Sequence, residues 1–210
     1  MKHIVITRAN FTDNDLFQKY LKVIKEIYFP SFSKQTCKDF EICIISNKQH
    51  KDLFLEEIKN FQLNAEVFVP ETVKLYNDYI RHVKKTQYTI QTRHDCDDWA
   101  SSDYIKAIQD TYLKYKDVYD DFLIQAEPLK LDFNTGLEYN TLAKEKFTSE
   151  EPSMFLTLCQ KNCTKFIYQE QHRFFSKVVP NVIDLGKGYV KWVIHGNNTL
   201  GKILPQNTLA

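Results

Sequence analysis

Residues 87–99 read Gln87-Tyr88-Thr89-Ile90-Gln91-Thr92-Arg93-His94-Asp95-Cys96-Asp97-Asp98-Trp99. The segment from Gln87 to Thr92 predicts a buried strand, and three carboxylates, Asp95, Asp97 and Asp98, follow it within six positions. Two unit charges about 4 Å apart repel by about 1 kcal/mol in water and about 4 kcal/mol at an effective dielectric of about 20. Something must offset that repulsion, and the elements on either side indicate what.

Upstream, strand and helix alternate. His3 to Thr7 is short and β-branched and ends at Arg8. Thr12, with Asp15 three residues on, predicts the start of a helix carrying Leu16, Tyr20, Val23, Ile24 and Ile27 until Pro30. Phe40 to Ile45 predicts a second strand, closed by Ser46. Ser46 and Gln49 then form a capping-box pattern ahead of Leu53, Phe54, Ile58 and Phe61. Ala65 to Val69 predicts a third strand, and Val73, Tyr76, Ile80 and Val83 a third helix. This alternation predicts an α/β fold, a Rossmann-like and mostly parallel central sheet flanked by helices.

Downstream, Ser101 or Ser102 caps a helix through Tyr104, Ile105, Ile108, Tyr112 and Leu113, after which the pattern changes. Short strands are expected at Phe122–Gln125, Leu129–Phe133 and Leu137–Thr141, with a turn at Asn134-Thr135-Gly136. A polar loop spans Ala143–Pro152, a strand Met154–Cys159 and a short helix Tyr168–Phe175. Strands near Val178–Leu185 and Tyr189–Ile194 complete a C-terminal antiparallel β portion. One domain over residues 1–210 is expected, an α/β half over residues 1–116 and a second half over 117–210.

A formal net charge of +1 gives no general reason to expect nucleic acid or an anionic membrane surface, both of which bind patches of Lys and Arg, so no nucleic-acid partner is expected. The N-terminal apolar run is interrupted by Arg8 and Asn10, and no stretch approaches the length of a membrane span, so a cytoplasmic location is expected. Five cysteines leave one over in any full pairing, which favours reduced thiols. Cys159 and Cys163, without further Cys or His partners, read as small buried side chains rather than a zinc site.

Ligands of parallel α/β sheets bind outside the carboxyl ends of the strands, where Asp95, Asp97 and Asp98 fall. Carboxylates there suit a hard cation, Mg²⁺ or Mn²⁺, bridging protein and phosphate oxygens. The competing reading is a solvated acidic turn at the start of the next helix.

Three blocks favour the first reading: Ile6-Thr7-Arg8-Ala9-Asn10-Phe11, Arg93-His94-Asp95-Cys96-Asp97-Asp98, and Trp192-Val193-Ile194-His195-Gly196-Asn197-Asn198. In this order they resemble the GT-A glycosyltransferases with their DxD motif, and more narrowly a bacterial family labelled rhamnosyltransferase. The resemblance implies a metal-dependent transferase moving a sugar, rhamnose by the label, from a nucleotide-sugar donor to a saccharide or glycoconjugate acceptor, with residues 1–116 the nucleotide-sugar-binding half and 117–210 the acceptor-side half. It implies that Asp97 ligates the metal, that Asp95 ligates it or holds the donor ribose, and that Asp98 ligates it or supports a ligand. His195 resembles the late histidine that completes such a metal shell; otherwise it is a histidine bonded to backbone near the surface. Arg8 and Arg93 are expected to contact donor phosphate or base, or to pair with the acids.

Inversion at the anomeric carbon would need a base, for which Glu170, His172 and Glu127 are candidates. His94 alternates away from Asp95 and reads as structural, and Trp192 as core. Two other classes compete: a non-catalytic nucleotide-sugar or cation-binding module, and an Asp-based phosphatase or nucleotidase. The latter places its motif on the first strand, whereas here it comes fourth. The oligomeric state is not legible in the sequence.

Overall fold

A computed structural model describes residues 1–9, 11, 13–70, 88–139, 153–168 and 172–195. Asp13 opens the first helix, its carboxylate accepting the N–H groups of Asp15 at 2.8 Å and Leu16 at 3.2 Å. The N-cap is therefore Asp13 rather than Thr12, which lies outside the described residues. Helix α1 (Asn14–Val23) runs into a π-helical turn (Ile24–Tyr28) and then α2 (Phe29–Ser33). Pro30 does not end the helix as expected. It occupies the first turn of α2, where a missing N–H costs little, and the preceding π turn bonds Phe29 N–H to the Ile24 carbonyl.

Strands β1 (His3–Ala9), β2 (Glu41–Ser46), β3 (Ala65–Phe68) and β4 (Ile90–Arg93) pair in parallel in the order β3-β2-β1-β4. Side chains along β1 and β2 alternate between two cores, as strand geometry requires. Val5, Ile42 and Ile44 pack with Phe17, Tyr28, Phe32 and Phe54 on the helical face. Ile4, Ile6, Cys43 and Ile45 pack with Leu123, Leu156, Leu158 and Phe175 on the other. Burial on both faces explains why these strands read as continuous apolar runs.

The Ser46–Gln49 capping box does not form. Ser46 remains in β2, and α3 (Lys51–Asn60) follows a 3-10 turn (Lys48–His50) with no side-chain cap. The expected third helix, Val73–Val83, and the polar loop, Ala143–Pro152, lie outside the described residues.

Beyond β4 come β5 (Trp99–Ala100), α4 (Tyr104–Tyr115), β6 (Asp121–Asp132), β7 (Glu138–Tyr139), β8 (Leu156–Gln160) and β9 (Val182–Ile194). Neither Ser101 nor Ser102 caps α4; Asp103 holds the N-cap position without a side-chain bond. Ser101 serves through its backbone instead, its carbonyl accepting the Gln35 amide at 2.6 Å. The sheet continues β4-β8-β6-β9-β5, with β7 on β6.

The expected strand pairs around Pro128 and around Gly186-Lys187-Gly188 are single long strands. Their breaker residues sit in or beside irregularities: the β6–β9 register shifts between Gln125 and Leu129, and Gly186 and Gly188 adopt φ of 78° and 95°. The C-terminal half is not antiparallel throughout. β8 is antiparallel to both β4 and β6, while β6 and β9 are parallel. It follows that β1, β4, β6 and β9 all point the same way and end on one edge of the sheet.

All five cysteines are free thiols. Among the described residues no helix is long and apolar enough to cross a membrane.

Candidate active site

The shared edge collects Arg8 from β1, Arg93 and the acidic run from β4, and His195 directly after β9. His94 N–H bonds to the Ile6 carbonyl at 3.1 Å, extending the β1–β4 ladder by one step, and Asp98 N–H bonds back to the Asp95 carbonyl at 3.3 Å. The acids therefore occupy a tight turn that leads straight into β5.

Each carboxylate has a different partner, and this is how the fold offsets their repulsion. Asp95 is half-buried, with Arg93 Nε 3.8 Å from its Oδ1. Asp97 Oδ2 lies 3.0 Å from His195 Nε2. Asp98 is buried, and its Oδ1 accepts the Val193 N–H at 3.0 Å. Burial pushes the Asp97 carboxyl above the ordinary carboxylate range, and the His195 hydrogen bond opposes it. Burial, then the charges of Asp97 and Asp95, push Asp98 well above that range. Cys96, between them, is buried, and desolvation and the three acids raise its thiol well above its ordinary value, so it is inert.

The structure brings Asp97 and His195 together and leaves the expected four-residue metal set incomplete. Among the described residues no three His, Cys, Asp or Glu side chains are placed to hold one ion. Asp98 engages the backbone of β9 and supports the strand that presents His195. His94 is structural: it is buried, Tyr28, Phe32, Tyr104 and Phe155 surround its ring, and Nδ1 is 3.0 Å from the Asp95 carbonyl. Burial lowers its pKa to about 4, so it is neutral at physiological pH. Trp192 packs against the core as expected.

Glu127 is not the loop acid expected. It lies within β6, ion-paired with Lys187 at 3.3 Å and five positions before the strand reaches the site edge. Glu170 lies outside the described residues, and for His172 only a backbone position in a 3-10 turn (His172–Lys177) is described.

Two aromatics at the site escaped the sequence reading. Tyr20 of α1 packs edge-on against the His195 ring, centroids 4.5 Å apart. The Tyr168 ring faces both arginines, Arg8 Cζ at 4.9 Å and Arg93 Cζ at 5.0 Å. Tyr20 belongs to the apolar face of the first helix and Tyr168 to the start of an expected short helix; no sequence signal separates either from an ordinary packing aromatic.

A sheet of this order, with an acidic turn after the fourth strand and a histidine returned to it by the last, defines a GT-A-like protein. Solved structures of similar fold include S. aureus TarS 1–349, at 18% identity over 94% of this chain and 62% of that one, TM-score 0.59. The same fragment in complex with UDP-GlcNAc matches at 17% identity over 92% of this chain and 58% of that one, TM-score 0.59. The inositol-1-phosphate CTP transferase from T. maritima matches at 14% identity over 91% of this chain and 88% of that one, TM-score 0.51. The chain thus spans 62% of the length of TarS 1–349. No curated protein matches it. Residues 4–206 match the glycosyltransferase family described as "Putative rhamnosyl transferase", and the chain belongs to that family.

Proposed function

We propose that this protein transfers a sugar from a nucleoside diphosphate sugar to a saccharide or glycoconjugate acceptor, with a divalent cation at Asp97 and His195. The observation carrying this reading is the 3.0 Å approach of Asp97 Oδ2 to His195 Nε2, which joins two distant sequence blocks at the edge where nucleotides bind in such sheets. The carboxylate oxygen suits Mn²⁺ or Mg²⁺, the imidazole nitrogen favours Mn²⁺ of the two, and two protein donors leave room for diphosphate oxygens and water. When bound, such an ion stabilises the negative charge that develops on the departing diphosphate.

The remaining roles belong to the chain. Asp95, the most open of the three acids, is placed to accept from donor ribose hydroxyls or to join the ion. Arg8 and Arg93 present planar donor groups for phosphate oxygens. Glu170 and His172 are the candidates to accept the acceptor hydroxyl proton. Rhamnose is the sugar the family's description favours. The complex of TarS with UDP-GlcNAc makes a uridine donor the first to try.

The test is a thermal-shift and calorimetry panel of UDP- and dTDP-sugars with and without Mn²⁺. Metal-dependent stabilisation by at least one donor, lost in Asp97→Asn, supports the reading. No stabilisation by any nucleotide overturns it.

A further inference from the structure

We propose that Tyr168 is a positioning residue that presents Arg8 and Arg93 as a pair to the donor diphosphate, an inference that rests on the donor reading above. Both guanidinium carbons lie about equally far from one ring centroid, 4.9 and 5.0 Å, although the arginines come from different strands. Two cations drawn to one small region repel each other, and each also gains from the negative ring face. Asp95 answers only one of the two charges, so what would make the pair favourable is a further anion.

The unmet hydrogen-bonding capacity points the same way. Arg93 Nε is buried without a hydrogen-bond acceptor, its nearest carboxylate oxygen, Asp95 Oδ1, standing at 3.8 Å. Among the described residues Arg8 has no carboxylate partner, and its side chain lies at the exposed end of β1. Buried donors in native proteins are almost always satisfied. Phosphate oxygens are the acceptors a guanidinium fork fits best.

The ring itself is fixed rather than floating. Tyr168 is buried, and its hydroxyl donates to the Ile6 carbonyl at 3.2 Å, two residues before Arg8. The chain leading to it is held by Gln91 of β4, which donates to the Lys165 carbonyl at 3.1 Å and accepts the Ile167 N–H at 3.2 Å. Tyr168 thus ties β1 and β4 to one platform, and both arginines extend across it.

The test measures UDP affinity of the full chain in Mn²⁺. Tyr168→Phe keeps the ring and is expected to bind within about threefold of wild type; Tyr168→Leu removes it and is expected to bind about tenfold more weakly. Because the effect passes through the arginines, the loss caused by Tyr168→Leu is expected to shrink in an Arg8→Ala background. A folded Tyr168→Leu protein with wild-type affinity overturns the proposal, as does an equal loss with and without Arg8. If Tyr168→Leu does not fold, a series of increasingly fluorinated phenylalanines at position 168 decides: affinity falls with each step if the ring face acts, and a flat series overturns it. Wild-type protein that binds no nucleoside diphosphate overturns the donor reading itself, an outcome distinct from a flat series in a protein that binds.

Discussion

Asp98 and Val193 are 95 positions apart in the chain and joined by a buried hydrogen bond, carboxylate to backbone N–H, at 3.0 Å. Val193 stands two residues before His195, so the last acid of the motif holds the strand that delivers the histidine to the acid before it. Adjacent aspartates thereby face different partners, Asp98 the backbone of β9 and Asp97 the His195 imidazole.

That division is testable by amide substitution. Asp98→Asn keeps an oxygen for Val193 and is expected to retain Mn²⁺-dependent UDP binding within a few-fold, whereas Asp97→Asn loses it. Asp98→Leu strands a buried N–H and is expected to lower unfolding stability by about 1–3 kcal/mol. Calorimetry and urea melts of the three proteins read both effects.

His195→Ala is expected to weaken metal-dependent nucleotide affinity by at least about tenfold, since even partners standing behind a metal ligand cost that much when removed. Binding of UDP measured in EDTA is expected to change far less. Equal losses with and without metal would show that His195 shapes the pocket instead.

The pH dependence of stability is expected to show His3. Burial lowers its pKa from 6.5 to about 3, its Nε2 lying 2.8 Å from Thr92 Oγ1. Below pH 6.5 the unfolded chain takes up the proton and the folded one does not, so this contribution is present above pH 6.5 and is lost as pH falls toward 3. The slope is about 1.4 kcal/mol per pH unit for one such group. His3→Gln is expected to flatten the fall in urea-derived stability between pH 6 and 4; an unchanged slope would assign the acid sensitivity elsewhere.

Gln91→Leu would leave the Ile167 N–H without its partner in a buried setting and remove one of the bonds to the Lys165 carbonyl. A cost of about 1–3 kcal/mol is expected in a urea melt. Gln160 still donates to Lys165 at 2.9 Å, which keeps the segment from detaching altogether.

The parallel half was legible because its strands are apolar on both faces and its helices have a clear period, so local pattern and fold agree. Helix boundaries are less legible: Asp13 competes with Thr12 for one cap, and Pro30 reads as a stop although the π turn before it lets the helical path continue. In the C-terminal half Pro128, Gly186 and Gly188 suggested breaks, yet all three lie at or near irregularities in continuous strands. The parallel pairing of β6 with β9 joins segments with β7 and β8 between them in sequence, and no local pattern records such a choice. At the site, Asp97 and His195 could be proposed from motifs, but the tasks of Asp98 and Tyr168 depend on distant backbone and on neighbours that only folding supplies.

The arrival of β9 at the edge where β4 also ends has a mechanical consequence. Any ligand that bridges Asp97 and His195 spans a sequence separation of 98 and so acts as a removable staple across almost half the chain. On the proposed reading, donor occupancy and the seating of β9 are two readings of one equilibrium, and damage to β9 should register first as lost grip on the nucleotide.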